Sequence, residues 1–394
     1  MKMAGYLFTF SDKDSLDKCM REGSYATLMS VSWNGAVAAT LGDYATMQAG
    51  DSVYLFSNRM VYGIGEIIEI EDGVTVAENF PAATSSSKID YHSANLDSIT
   101  DEPIVTAGEK PKAKRWVIAF KPSPALFAKG VDMDDLLASN PKAFRSLRVF
   151  WKRSFIKLDD EEELAFRTAI LRRNSEAIKN SGMSDTVVSD YRSTLKFYRE
   201  RLRGKRPELG IAGLMREKRK KDGSLASEML LEVATLWQLH RHDPRSEAVF
   251  GRWDYLSHQV PASPMKAVDY MDRMDIFGYR WIEGFKPIIG KYLVVELKKD
   301  VVSGTDIQQV MKYVDWCRNE YANGDYSLIT AFLVGRHIDK ASVRESIATA
   351  ERNYVVGARP PESHVWDDLH FVEYEVRDSG DVEYRLVEIP GGDD

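Results

Sequence analysis

Two carboxylates and a lysine in the second half of the chain have the types and spacing that a metal-ion site needs. Asp275 stands directly before the apolar residues Ile276 and Phe277, and Glu296 and Lys298 follow the apolar run 292–295. Mg²⁺ prefers oxygen ligands, typically one or two carboxylates completed by water and phosphate. Side chains alternate along a strand, so Glu296 and Lys298 lie on the same face. The pattern predicts a divalent-cation site with a lysine beside it.

The chemistry that such a site supports is phosphodiester hydrolysis. A bound Mg²⁺, with Mn²⁺ as the alternative, neutralises the charge that builds up and lowers the pKa of its water. The predicted metal ligands are the carboxylates of Asp275 and Glu296 and the backbone carbonyl of Leu297. Lys298 is placed to orient the attacking water or to stabilise the developing charge.

The segments around these residues read as alternating helices and strands. We expect helices at about 225–239 and 305–322, and strands near 273–279, 292–298, 327–334, 371–376 and 384–389. The order helix, strand, strand, helix, strand predicts an α/β domain in the second half of the chain.

This combination resembles the PD-(D/E)xK nuclease superfamily, the core shared by type II restriction enzymes and RecB-type nucleases. The resemblance covers about 224–335, and it implies a restriction-endonuclease-like fold with a mixed central sheet. Asp275 matches the first acidic position, ahead of its rivals Asp269 and Asp272, because the apolar strand begins directly after it. Met274 departs from the proline that commonly precedes that acid, but this proline makes no metal contact.

The resemblance also implies two flanking groups. Such folds carry a glutamate on the helix ahead of the first motif, and Glu228 and Glu232 are equally placed candidates, one helical turn apart. RecB-type members carry Gln-x-x-x-Tyr on the following helix, which Gln309 and Tyr313 match. Their i, i+4 spacing places both side chains on one helical face.

Within the superfamily, the text at 292–299, the following Gln309 helix and the segment 369–375 resemble Shedu-type anti-phage defence nucleases. That resemblance implies a variable N-terminal domain fused to the nuclease domain. It also implies a homo-oligomer, a dimer or a tetramer.

The first half of the chain is strand-rich, with strands expected at 52–56, 63–70 and 115–120 around a turn at 57–59. The sequence at 47–56 and 62–67 resembles that of PUA-like and EVE-type β-barrels. Such barrels hold a nucleobase, often a modified one, in an aromatic-lined pocket. The resemblance implies a base pocket formed by Trp33, Tyr44 and Trp116, with Asn34 reading the base edge. The alternative is that these aromatic residues are core.

These features divide the chain into a sensing domain at 1–157, a helical, basic linker at 158–223 and a nuclease domain at 224–394. Acidic residues at 159–163 suit the first turn of a helix. Basic residues exceed acidic ones over 199–221, which fits either a solvated linker or a surface that contacts DNA phosphates. The predicted DNA-binding residues are Arg216, Lys218, Arg219, Lys220 and Lys221.

The bulk composition bounds the remaining possibilities. The chain has 394 residues, a net charge of −7 and 2 cysteines, too few for a disulfide framework or a zinc site. With no long apolar run and no signal-peptide pattern, we expect no membrane span and a cytoplasmic location. The chain has no Gly-x-x-x-x-Gly-Lys-Ser/Thr loop, so we expect no ATP hydrolysis.

The leading hypothesis is therefore a Mg²⁺-dependent DNA endonuclease in bacterial anti-phage defence. One alternative is a modification-dependent restriction endonuclease whose N-terminal barrel reads a modified base. Another is a catalytically silent DNA-binding module that retains the nuclease fold.

Overall fold

The computed structural model describes residues 4–29, 35–81, 114–149, 155–180, 185–205, 208–264 and 271–389. The chain forms two compact units, a first unit of Met1–Gly210 and a second unit of Ile211–Asp394. The segment 158–223, predicted as a separate linker, is divided between them. Its helices before Gly210 belong to the first unit, and its last helix and turn belong to the second.

The first unit is an α+β structure built on a seven-stranded sheet. Its strands are β1 (Gly5–Thr9), β2 (Ser24–Met29), β3 (Ser52–Ser57), β4 (Met60–Ile68), β5 (Val76–Pro81), β6 (Lys114–Asp132) and β7 (Phe155–Leu158). Its helices are α1 (Lys13–Glu22), α2 (Gly35–Thr46), α3 (Met133–Ser139), α4 (Asp160–Arg173), α5 (Ser175–Asn180) and α6 (Asp185–Leu202). The strand order is β2-β6-β4-β3-β1-β7, with β5 also paired to β6. The sheet curls into a half-barrel.

Aromatic packing joins the strands of this sheet. Phe8 on β1 lies 4.6 Å from Tyr25 on β2 and 5.0 Å from Phe155 on β7, measured between ring centroids. All three side chains are buried. Large rings supply much apolar area at well-defined geometry, so this cluster stabilises the curled sheet.

Local chemistry explains the turns and helix ends in the first unit. Asn58 and Arg59 have φ values of 48° and 65°, the left-handed backbone that a two-residue hairpin loop requires, and the predicted turn is confirmed. The Asp159 side chain accepts backbone N–H bonds at the start of α4, as its acidic first turn predicts. Helix α4 ends at Asn174, whose side chain donates to the carbonyl of Ile170.

The second unit is built on a six-stranded mixed sheet. Its helices are α7 (Ile211–Lys218), α8 (Glu228–His240), α9 (Pro244–Phe250), α10 (Gly304–Glu320) and α11 (Lys340–Ser346). Its strands are β8 (Tyr255–Pro261), β9 (Arg273–Trp281), β10 (Ile289–Leu297), β11 (Val301–Val302), β12 (Ile329–Gly335), β13 (His337–Ile338), β14 (Arg352–Val356), β15 (Glu362–Trp366), β16 (Leu369–Val376) and β17 (Val382–Val387).

The sheet order of the second unit is β17-β16-β12-β10-β9-β8. Strands β8, β9 and β10 run antiparallel, whereas β10, β12 and β16 run parallel, and β17 closes the edge antiparallel. A parallel pair needs a crossover connection, which α10 supplies between β10 and β12. The mixed sheet is confirmed, and β8 and the β14–β15 hairpin are elements that the sequence did not predict.

Caps fix where the two principal helices of the second unit begin. Ser227 accepts a hydrogen bond from the Met229 N–H at the start of α8, so this helix begins three residues later than predicted. Asp306 accepts from the Ser303 N–H at 2.8 Å and fixes the first turn of α10. No helix within the described ranges is long and apolar enough to cross a membrane.

Gly278 on β9 has no space for a side chain under β8. A Cβ atom there would lie 2.7 Å from the Tyr255 carbonyl oxygen and 3.0 Å from the Leu256 side chain. Gly278→Ala should lower the free energy of unfolding by about 1–3 kcal/mol, because strand β8 must shift. Urea denaturation measures this loss.

Gly290→Ala on the adjacent strand β10 is the matched control. Its Cβ would lie 2.9 Å from the side chain of Ile282, which is exposed and free to move. We expect a change of about 0.5 kcal/mol or less. Equal losses in both variants would contradict the packing described for β8 and β9.

Candidate metal and catalytic site

Asp275 and Glu296 stand on neighbouring antiparallel strands. The register of β9 and β10 pairs Ile276 with Val295, so its next step places Asp275 opposite Glu296. Cβ atoms of residues that face each other across such strands lie about 4.5–5.5 Å apart. The structure therefore brings the two predicted carboxylates within reach of one shared cation.

Glu296 is a buried carboxylate with one oxygen satisfied and one not. Glu296 is only 2% exposed to solvent. Oε1 accepts from the Lys298 Nζ at 2.6 Å, while Oε2 is buried and has no hydrogen-bond partner. Burial raises the pKa of Glu296 to about 7, against the lowering effect of Lys298. A carboxylate oxygen in this position lacks a positive or donating group.

Asp275 is partly buried, and both of its oxygens accept hydrogen bonds. Oδ2 accepts from the backbone N–H of Leu297 at 2.8 Å, and Oδ1 accepts from the Gln259 side-chain amide at 3.3 Å. Burial raises the pKa of Asp275 well above its ordinary value, and the neighbouring Glu296 raises it further. The charge of Glu296 thus acts on Asp275, and two acids this close favour either a shared proton or a cation.

Lys298 is held by Glu296 on its own strand and by Gln309 on one of the two predicted flanking helices. Its Nζ donates to Glu296 Oε1 and, at 3.0 Å, to Gln309 Oε1 on α10. Gln309 in turn donates to the Tyr313 hydroxyl at 3.0 Å. Burial lowers the pKa of Lys298, but the adjacent Glu296 outweighs it, so the net pKa is raised. The ammonium group is therefore charged and fixed in direction.

Glu228 and Glu232, which the sequence left as alternatives, take different positions on α8. Glu232 is buried, and its Oε1 lies 2.7 Å from His258 Nδ1. Its charge contributes to the raised pKa of Asp275, whereas the half-buried Glu228 acts on the pKa values of Glu296 and Lys298. Both carboxylates therefore act on the site, and Glu232 contacts His258 and Gln259 on strand β8.

Gln259 is a site residue that the sequence did not reveal. Its Nε2 donates to Glu232 Oε2 at 2.6 Å and to Asp275 Oδ1 at 3.3 Å, so one amide links two carboxylates. Gln259 has φ 51°, an uncommon conformation for a residue with a side chain. Its strand β8 was not predicted, and no local sequence pattern signals a backbone of this kind.

The donor set fits a hard divalent cation bound by few protein ligands. Among the described residues, no three acidic, histidine or cysteine side chains are grouped as a metal cage. Mg²⁺ does not need one, since it commonly binds through one or two carboxylates and keeps several waters. The unsatisfied Oε2 of Glu296 beside Asp275 supplies such a pair. The backbone carbonyl of Leu297 is the third predicted ligand. The contact that the structure shows for Leu297 is a hydrogen bond from its backbone N–H to Asp275.

The rival acids do not displace Asp275 from this role. Asp272 precedes β9, and its charge contributes to the raised pKa of Tyr313. Asp269 lies outside the described residues. Asp275 is the acid that contacts Leu297 and Gln259.

The five residues predicted to bind DNA differ in whether their side chains are engaged within the protein or exposed to solvent. Arg219 donates to the Val376 carbonyl and to Asp378, both at 3.0 Å, so it holds the end of β16. Lys218 pairs with Glu217 at 3.0 Å. Arg216, Lys220 and Lys221 are exposed, and these three have the position that a phosphate contact requires.

The predicted base-pocket residues that the structure describes are core residues in this conformation. Tyr44 is 1% exposed and Trp116 is fully buried, with their ring centroids 5.7 Å apart. Tyr44 also packs edge-on against Phe155. Trp33 and Asn34 lie outside the described residues. The two described rings therefore have no free face on which a base could stack.

The sequence matches no family model and no curated protein. A solved structure of a hypothetical protein from Leishmania major matches at 17% identity with a TM-score of 0.28, covering 44% of this chain and 96% of that one. A structural-genomics target from Agrobacterium tumefaciens matches at 14% identity with a TM-score of 0.23, covering 42% and 92%. These scores carry no inference about fold or function.

The burial of Glu296 predicts a pH-dependent effect of its removal. The folded-state pKa is about 7, above the ordinary value of 4.5, so the folded state binds the proton more tightly. The contribution of the Glu296 carboxyl to the stability of the folded state is complete below pH 4.5 and is lost as the pH rises through 7. The free energy of unfolding of Glu296→Gln, taken relative to wild type, should therefore increase as the pH rises from 5 to 8, by on the order of 2 kcal/mol.

Urea denaturation in EDTA at the two pH values measures this difference. The exposed Glu345, replaced by glutamine, is the control and should show no such pH dependence. A Glu296→Gln difference that is the same at pH 5 and pH 8 would contradict the burial of an ionisable carboxyl at this position.

Proposed function

We propose that this chain is a metal-dependent DNA endonuclease of the PD-(D/E)xK type that acts in bacterial anti-phage defence. The observation that carries the proposal is the buried, unsatisfied Oε2 of Glu296 opposite Asp275, with the Lys298 ammonium 2.6 Å from the other oxygen. An acid pair with a fixed cationic donor is what metal-assisted phosphodiester hydrolysis needs.

A bound Mg²⁺ would supply Lewis acidity and a water of lowered pKa. Asp275 and Glu296 would hold it through their carboxylate oxygens. The charged Lys298 would stabilise negative charge on the phosphate as it develops, because its ammonium group is already oriented before the reaction. Gln309 and Glu296 orient this ammonium group by accepting two hydrogen bonds from it.

The groups behind these three residues act by positioning. Tyr313 accepts from the Gln309 amide, which leaves the amide oxygen turned toward Lys298. Gln259 holds Asp275 and Glu232 on one amide. A site within about 0.5 Å of its productive geometry depends on such supporting contacts.

The order of elements in the second unit supports the nuclease interpretation. Helix α8 is followed by the antiparallel strands β8, β9 and β10, then by α10 and the parallel strand β12. Both acidic motifs lie on adjacent strands of this run, and Gln309 lies on the helix directly after them. This is the arrangement that the resemblance implies.

The proposal assigns the first unit a PUA- or EVE-like sensing role, which the curled half-barrel supports. A version in which this barrel reads a modified base gains no support from Tyr44 and Trp116, because both are buried. The proposed setting is a cytoplasmic homo-oligomer that acts on DNA. Arg216, Lys220 and Lys221 are the proposed phosphate contacts, since their side chains are exposed.

Cleavage of circular, linear and single-stranded DNA with and without Mg²⁺ tests this function. Lys298→Ala should lower the rate at least ~100-fold, because a preorganised charge is lost. Lys299→Ala is the matched control. Its side chain lies near Asp300 at 3.8 Å, so its removal should leave the rate close to wild type.

Two outcomes would contradict the proposal. Undiminished Mg²⁺-dependent cleavage by folded Lys298→Ala would exclude the assigned site. DNA binding by wild type without cleavage of any of the three substrates would favour the catalytically silent binding module.

A further inference from the structure

The first unit contains a cavity that is not lined by Tyr44 or Trp116, the described residues of the predicted base pocket. Its volume is about 210 Å³, and residues of α1, of β2 and of the start of β6 form its walls. The residues that matter for its chemistry are Phe10, Lys18, Glu22, Tyr25 and Arg115.

Arg115 is the unusual member of this wall. The residue is only 8% exposed, and its Nη1 donates to the Ala26 carbonyl at 3.0 Å. Its Nε is buried and has no hydrogen-bond partner. In the part of the chain that the structure describes, no carboxylate lies within ion-pair distance of Arg115. A guanidinium group is always charged, so among the described residues this buried charge has no counter-ion.

The charges around Arg115 do not compensate for it. Lys18 and Glu22 both line the cavity and pair with each other across 3.6 Å. Glu22 is therefore matched by Lys18, which leaves Arg115 as the net positive charge of the cavity. A buried charge is strongly unfavourable unless an opposite charge pairs with it.

We propose that this cavity binds a small molecule that carries an oxyanion, either a carboxylate or a phosphate, on the guanidinium group of Arg115. Oxyanions match the guanidinium fork in charge and geometry. The rings of Phe10 and Tyr25 line the cavity as apolar surface, and the Tyr25 hydroxyl is already bonded to the Thr9 carbonyl. A volume of 210 Å³ restricts the ligand to a small one. The site does not depend on the proposed nuclease activity.

Calorimetric titration of the full chain with inorganic phosphate, and separately with acetate, tests this site. Saturable binding with one site per chain is expected for at least one probe, and the probe that binds identifies the oxyanion. Arg115→Met should weaken that binding at least tenfold, and Arg115→Lys should weaken it less. The exposed Arg192, replaced by methionine, is the control and should bind like wild type.

Two results would overturn the site: no saturable binding of either probe to wild type, or unchanged affinity in folded Arg115→Met. If thermal melting shows that Arg115→Met does not fold, Lys18→Gln takes its place. That variant leaves Glu22 unmatched and should weaken binding several-fold. Unchanged affinity in Lys18→Gln would then overturn the proposal.

Discussion

A carboxylate oxygen with no donor, enclosed within a folded unit, is the constraint around which the second unit is organised. Lys298 satisfies Oε1 of Glu296, but Oε2 is left without a partner. Burying an ionised carboxylate costs several kcal/mol unless a positive group compensates. The neighbouring Asp275 makes that cost larger, because its charge and that of Glu296 repel. A proton relieves the strain at low pH, and a divalent cation relieves it when both acids are ionised.

The surrounding elements keep this arrangement from relaxing. Strands β9 and β10 fix the two acids opposite each other through their register. Helix α10 supplies Gln309, which prevents Lys298 from turning toward solvent. Helix α8 supplies Glu232, which engages the Gln259 amide that also contacts Asp275. The pairing of these elements therefore maintains an electrostatically unfavourable site that a cation would stabilise.

The sequence predicted the part of this site that depends on short-range pattern. Glu296 and Lys298 share a strand face because of the two-residue repeat, and Gln309 and Tyr313 share a helix face because of their spacing of four. The contribution of Gln259 was not predictable. It depends on a strand that lacks a clear apolar alternation and on a backbone φ of 51° that only the folded sheet imposes.

The first unit shows a second limit on predicting a site from the sequence. Tyr44 and Trp116, two of the three rings predicted to form a pocket, are core residues, since sequence alone does not tell a ring that packs from a ring that binds. The cavity lies beside Arg115, which carried no motif. Its significance comes from an absence of charge pairing among the described residues, and this is visible only when burial and distances are known.

The most direct measurement is anomalous diffraction from crystals soaked in MnCl₂ at pH 8, above the pKa of about 7 of Glu296. The account predicts a manganese peak between Glu296 Oε2 and an oxygen of Asp275, within coordination distance of both. No peak at that position, or a protein N–H donor found on Oε2 of Glu296, would contradict it.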